Sequence, residues 1–130
     1  MSTNGVLTGL ARAYLERVVN RRDLAAVDEL VAPSYQGSGH GWPEDLPALK
    51  AFYAWQARSR PDWHIDVQES VEVGDHVAVR AFAGGTIMAG DDSPGAAPTV
   101  GAVEWLAVYR FEEDRIAEIQ VLEVRQRIPD

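Results

Sequence analysis

His40 is the side chain best suited to proton transfer in this sequence. It sits in GSGHGW (residues 37–42), where flanking glycines let the backbone come close to a ligand. Imidazole exchanges its proton near neutral pH and can serve as acid or base, although a surface loop is also an ordinary place for a histidine. Glu123 is the second candidate. In RIAEIQVLEV (115–124), strand alternation predicts Ile119, Val121 and Glu123 on one face. A carboxyl enclosed there would have its pKa raised by desolvation and could shuttle protons; beyond a rim it would be solvated, or paired with Arg125 or Arg127. Tyr14 and Tyr53 lie on apolar helical stripes. A phenol there either fills the core or, in a dry pocket, donates a hydrogen bond to a carbonyl or enolate oxygen.

Other chemistries lack their residues. There is no Ser/His/Asp order and no phosphate loop, and GSGHG does not bridge a strand and a helix as a dinucleotide fingerprint must. With no cysteine there are no disulfides, thiolate nucleophiles or zinc-finger spacings, which suits a cytoplasmic protein. His40, His64 and His76 have no metal-ligand spacing and no supporting carboxylate cluster, so no metal or other cofactor is expected. His64 and His76 fall on polar strand positions and read as surface residues. A net charge of -8, from 12 Lys+Arg against 20 Asp+Glu, offers no patch for phosphate backbones or anionic lipid. Nucleic acid and membrane are therefore not expected partners, and no apolar run approaches a membrane span.

The elements that must position these groups follow from periodicity. Val6, Leu10, Tyr14 and Val18 recur at helical steps, predicting a helix over 6–19, capped by Thr3 or Asn4 and closed by Asn20, Arg21 and Arg22. Asp23 caps a second helix that carries Leu24, Val27, Leu30 and Val31 and stops at Pro33. Residues 34–47 read as a loop, and a third helix runs from Leu46 or Pro47 to about Arg60, with Leu49, Phe52, Tyr53 and Gln56 on one side. Beyond it the period becomes two. HIDVQESVEV (64–73) puts Ile65, Val67, Val71 and Val73 on an apolar face interrupted by Glu69, and Gly74-Asp75 turns into HVAVRAFAGG (76–85). A Gly/Pro/Asp-rich crossing over 86–102 leads to a second hairpin, 103–111 and 115–124. Helices segregated from strands indicate an α+β chain, one domain over 1–130, with an antiparallel or mixed sheet wrapped around three N-terminal helices.

AYLERVVNRRDLAAVDELVAPSY (13–35), ALKAFYAW (48–55), RPDWHIDVQESVEVGDHVAVR (60–80), GGT with PTV (84–86, 98–100) and VYRFEEDRIAEIQV (108–121) together resemble the NTF2-like superfamily, and within it the SnoaL-like polyketide cyclases. The resemblance implies a strongly bent sheet forming a cone around an apolar cavity, and a homodimer through the outer face of the sheet. It also implies pocket-facing tyrosines at Tyr14 and Tyr53. The family's acid/base Asp lies on the last strand in a segment like EHWD, but those positions here are Glu118, Ile119, Gln120 and Val121, and a helping histidine or acid on the preceding strand would fall at Ala107. Methyl and isopropyl groups carry no proton.

The resemblance thus implies a greasy cavity walled by Tyr35, Trp42, Trp55, Trp63, Trp105, Ala107, Tyr109, Ile119 and Val121, with His40, Tyr14, Tyr53 and Glu123 left for chemistry. The expected activity is cofactor-free ring closure or isomerisation of an apolar, polyketide-type intermediate of secondary metabolism. A noncatalytic carrier of a hydrophobic metabolite is the alternative. An epoxide hydrolase ranks last, because it needs two inward carboxylates around a water.

Overall fold

The computed structural model describes residues 5–87 and 99–126. The expected caps Thr3 and Asn4 lie outside these. Helix α1 (Val6–Tyr14) continues directly into a π-helical stretch, Leu15–Asn20. Its apolar stripe of Ala11, Tyr14, Leu15, Val18 and Val19 is buried, as the periodicity predicts.

The wide turns were not foreseen. They end at Asn20, whose side chain accepts the Ile65 N–H at 2.8 Å and donates to the Ile65 carbonyl at 3.0 Å. Ile65 lies on an edge strand, so Asn20 supplies the hydrogen bonds that a further strand would have made. Replacing Asn20 with Ala removes both partners; a loss of about 1–3 kcal/mol is expected, read as a lower urea midpoint.

Helix α2 (Ala25–Leu30) buries Ala26 and Val27. Asp23 does not cap it, because its carboxylate is held by Arg17 at 2.9 Å, the same guanidinium that binds Glu29 at 2.8 Å. The expected loop after Pro33 is partly a strand, β1 (Val31–Ser38). Pro33 is exposed at the sheet edge, where a missing N–H costs no ladder bond, and Val31, Ala32 and Tyr35 are buried.

Helix α3 (Leu46–Ser59) follows, capped by Asp45, whose carboxylate accepts the Ala48 N–H at 2.9 Å. Then come β2 (His64–Val73), β3 (His76–Ile87), β4 (Thr99–Glu112) and β5 (Arg115–Gln126). The sheet order is β1-β5-β4-β3-β2, with β1 parallel to β5 and the other pairs antiparallel. The chain is thus α+β with a five-stranded mixed sheet, and β1 separates α2 from α3, so the three helices do not all precede the strands. Residues 88–98 of the expected crossing lie outside the described residues; its ends are strand, with Gly85 opposite Gly101 and Ile87 opposite Thr99.

Of the four register shifts in the sheet, two redirect glutamates. Between Val67 and Glu69 the β2–β3 register shifts, which sets Glu69 opposite Arg80, 2.7 Å from its guanidinium, and turns Glu72 to the helical side. There Glu72 accepts the backbone N–H groups of Gly5 and Thr8, each at 3.0 Å, satisfying donors at the start of α1. These amide bonds hold its carboxyl below the usual range. Val71 and Val73 consequently point outward and are exposed. The second bulge, on β5 between Val121 and Glu123, governs the site.

Candidate functional site

Between α3, the π-helical stretch and the sheet lies a cavity of about 350 Å³. Its wall is aromatic: Trp42, Phe52, Tyr53, Trp63, Trp105 and Tyr109 all line it. Trp42 is the hub, its ring centroid 5.0 Å from Phe52, 5.0 Å from Trp105 and 6.2 Å from Tyr53, each edge to face.

The loop after β1 sets Trp42 in place. Gly39, His40 and Gly41 all have positive φ (91°, 53° and 73°), and the Trp42 N–H closes the turn on the Gly39 carbonyl at 2.9 Å. Such a turn favours glycine, and His40 adopts it without being one. Once past the turn, the Trp42 indole donates to the Tyr35 hydroxyl at 2.9 Å, which in turn donates to the Pro43 carbonyl at 3.1 Å. Tyr35 is buried and does not line the cavity; it holds the residue that does.

His40 lines the cavity at its exposed side, with Nε2 3.2 Å from the Leu122 carbonyl. A carbonyl can only accept, so Nε2 carries the proton in this contact and Nδ1 is left as the basic atom. The flanking glycines, expected to let the backbone approach a ligand, here bring the histidine against the backbone of β5.

Tyr53 lines the cavity and Tyr14 does not. Their hydroxyls lie 2.6 Å apart, fully buried, and the Tyr14 ring is edge-to-face with those of Tyr53 and Tyr109 at 6.1 Å. Burial above all pushes Tyr14 and Tyr53 well above the ordinary tyrosine value of 10.0. Burial likewise raises Tyr109, against a smaller opposing influence from the Trp105 indole. All three are therefore hydrogen-bond donors at any neutral pH. The Trp105 N–H, also buried, completes no well-formed hydrogen bond of its own.

Several expected placements are corrected. Glu123 is not inward: the β5 bulge at Leu122 reverses the alternation, so Val124 rather than Glu123 faces Trp105 and reaches the cavity. Glu123 sits opposite Leu106, its side chain 47% exposed and 2.6 Å from Arg125. Ala107, Ile119 and Val121 are core positions, 0%, 0% and 3% exposed, and do not form the wall. Trp55 lies off the cavity, against Phe52 at 5.9 Å and beneath the Arg60 guanidinium. His64 and His76 are at the surface beside Asp66 and Asp75.

The sequence does not single out two polar lining residues, Gln56 and Arg60. The spacing held the signal, since Tyr53, Gln56 and Arg60 follow at helical steps along one side of α3. Among the described residues lining the cavity there is no carboxylate, and no group of His, Asp and Glu could hold a metal ion. Nor is any described helix long and apolar enough to cross a membrane.

The fold recurs in solved structures of low sequence identity. TsrD from Streptomyces laurentii aligns with a TM-score of 0.79 at 16% identity, over 95% of this chain and 91% of that one. IdmH from Streptomyces antibioticus gives 0.74 at 24% identity, over 89% and 90%. A SnoaL-like polyketide cyclase from Agrobacterium tumefaciens gives 0.74 at 17%, over 94% and 91%. No curated protein sequence matches the chain. The model of the SnoaL-like domain matches residues 11–119, a span holding every helix of the described structure in whole or part and β1 through β4, and the chain therefore belongs to the SnoaL-like domain family.

Proposed function

We propose that the protein is a cofactor-independent cyclase or isomerase acting on a compact, largely apolar intermediate of polyketide type. The observation that carries this reading is the cavity itself: an aromatic enclosure lined by Tyr53, Tyr109 and His40, with no carboxylate among its described lining residues. Its 350 Å³ falls toward the small end of ligand cavities, roughly 300–1,000 Å³.

In an aldol-type closure, His40 Nδ1 would take the proton α to a carbonyl and Tyr53 would donate to the oxygen on which charge develops. Tyr14 serves as a positioning residue in this scheme. Its hydroxyl lies 2.6 Å from that of Tyr53, and with Tyr14 as the donor of that bond the Tyr53 proton would be free for the guest. The tryptophans would hold the chain in a reactive curl, and orientation of this kind can remove about 7–11 kcal/mol of barrier in well-matched intramolecular reactions. A strong acid on β5 is not required by this route, which accommodates Val121 and Ile119.

Those same two residues favour a second reading, a carrier that binds such a compound and releases it unchanged. The single-domain organisation, cytoplasmic location and place in secondary metabolism belong to the same proposal. So does a homodimer through the sheet, for which exposed Val71, Val73 and Leu122 offer apolar contact.

Incubation with a linear poly-β-ketone in ¹⁸O-labelled water separates the readings. Cyclised product formed faster than without protein, carrying no solvent oxygen beyond carbonyl exchange, is the expected result. Unchanged recovery of bound material would establish the carrier, and stable incorporation of label a hydrolase.

A further inference from the structure

Among the described residues, Arg60 is the one arginine that lines the cavity. It ends α3, and its guanidinium carbon stands 5.0 Å from the centre of the Trp55 ring and 5.3 Å from that of Trp63. Stacking of this kind engages the flat faces of the guanidinium and leaves its N–H edge for another partner. The buried Nε has no hydrogen-bond partner.

Arg17, Arg21, Arg80, Arg110 and Arg125 are each ion-paired to a carboxylate. Among the described residues Arg12, Arg22, Arg58, Arg60 and Arg115 are not, and of these Arg60 alone lines the cavity and keeps a buried donor without a partner. A fixed cation beside an apolar cavity, with a buried donor unsatisfied, is costly unless an anion completes it. Gln56, one turn earlier on α3 and also on the wall, adds an amide next to the same end of the cavity.

We infer that the guest of this cavity is a carboxylic acid: its carboxylate is received by the Arg60 fork, and its apolar body lies along Trp105, Trp42 and Tyr109. The inference rests on reading the cavity as a ligand site and goes beyond it by naming the polar end of the ligand. Held at that end, the acid sets which of its carbons reaches the Tyr53 and His40 side. Arg60 is then a specificity residue and takes no proton.

The test compares 2-naphthoate with its neutral isostere 2-naphthamide, titrated against wild-type protein near neutral pH by calorimetry, with tryptophan fluorescence as a second readout. Naphthoate is expected to bind about tenfold to a hundredfold more tightly, the increment of a hydrogen bond to a charged group. In Arg60→Met the acid loses that advantage while the amide binds as before, which also shows the cavity intact. Arg60→Lys keeps a charge without the fork and retains part of the preference. Should the Met variant fail to fold, a reduced acid-to-amide ratio in Arg60→Lys supports the assignment and an unchanged ratio overturns it.

Equal affinities in the wild type, or a preference that survives Arg60→Met, would overturn the assignment while leaving the cavity reading intact. Failure of both compounds to bind overturns both. A preserved acid preference with no ring closure, by contrast, removes only the cyclase.

Discussion

Tyr53→Phe is expected to cut the cyclisation rate about 10²–10³-fold and also to destabilise the protein by about 1–3 kcal/mol. The two losses have different origins. Under the proposed mechanism the rate falls because the donor to the developing oxygen charge is gone. Stability falls because the Tyr14 hydroxyl, 0% exposed, loses the partner 2.6 Å away and stays buried unsatisfied. The double variant Tyr14→Phe/Tyr53→Phe separates them. With both hydroxyls removed neither leaves the other buried without a partner, so much of the stability returns and the rate does not. If the double variant regained activity along with stability, Tyr53 would be a core residue and not a donor to substrate.

Alkaline pH gives an independent check on the pair. Both phenols are held well above 10.0 in the folded protein, so their contribution to stability is complete below pH 10. As the pH rises further the unfolded chain ionises these tyrosines and the folded chain resists, and the contribution is lost. Unfolding midpoints measured upward from pH 9 should therefore fall more steeply in the wild type than in the double variant.

How far the sequence carried depended on whether a side chain's direction followed from local spacing. Helical stripes did: Tyr14, Leu49 and Tyr53 are buried where a period of 3.6 places them. The turn at Gly74-Asp75 did as well, through a glycine that accepts positive φ. Strand faces were readable only up to a bulge. A single extra residue at Leu122 sends Glu123 outward and Val124 inward, and another before Glu69 brings Glu72 to the start of α1. Neither bulge has a signature in an isolated strand, since each is defined by the register of its neighbour. The same holds for β1, which became a strand because β5 offered a parallel edge to residues that otherwise read as loop. Arg60 was overlooked because a charged residue at a helix end ordinarily reads as a dipole partner facing solvent. Its two flanking tryptophans, one on α3 and one just before β2, meet it only in the fold.

Gly39→Ala should be the most damaging small substitution in the loop, lowering stability by more than about 2 kcal/mol and weakening ligand binding with it. A methyl group at this position would lie 2.0 Å from the Val121 carbonyl oxygen and 3.0 Å from its carbon. Both belong to the backbone of β5, which is held between β1 and β4 and cannot withdraw. The φ of 91° adds strain for any L side chain. The loop must therefore lift from the strand, and with it go the contact of His40 with Leu122 and the seat of Trp42 against Trp105. Gly41→Ala is the control. Its φ of 73° imposes a similar backbone penalty, yet a methyl group there meets nothing within 4 Å. It should cost only about 1–2 kcal/mol and leave the cavity wall assembled. Denaturation midpoints give the two stabilities, and Trp42 fluorescence, isolated by Trp→Phe replacement of Trp55, Trp63 and Trp105, reports whether its ring has left the cavity. Equal effects from the two alanines would mean that strain in the turn, and not contact with β5, fixes the loop; His40 would then owe its position to the turn alone.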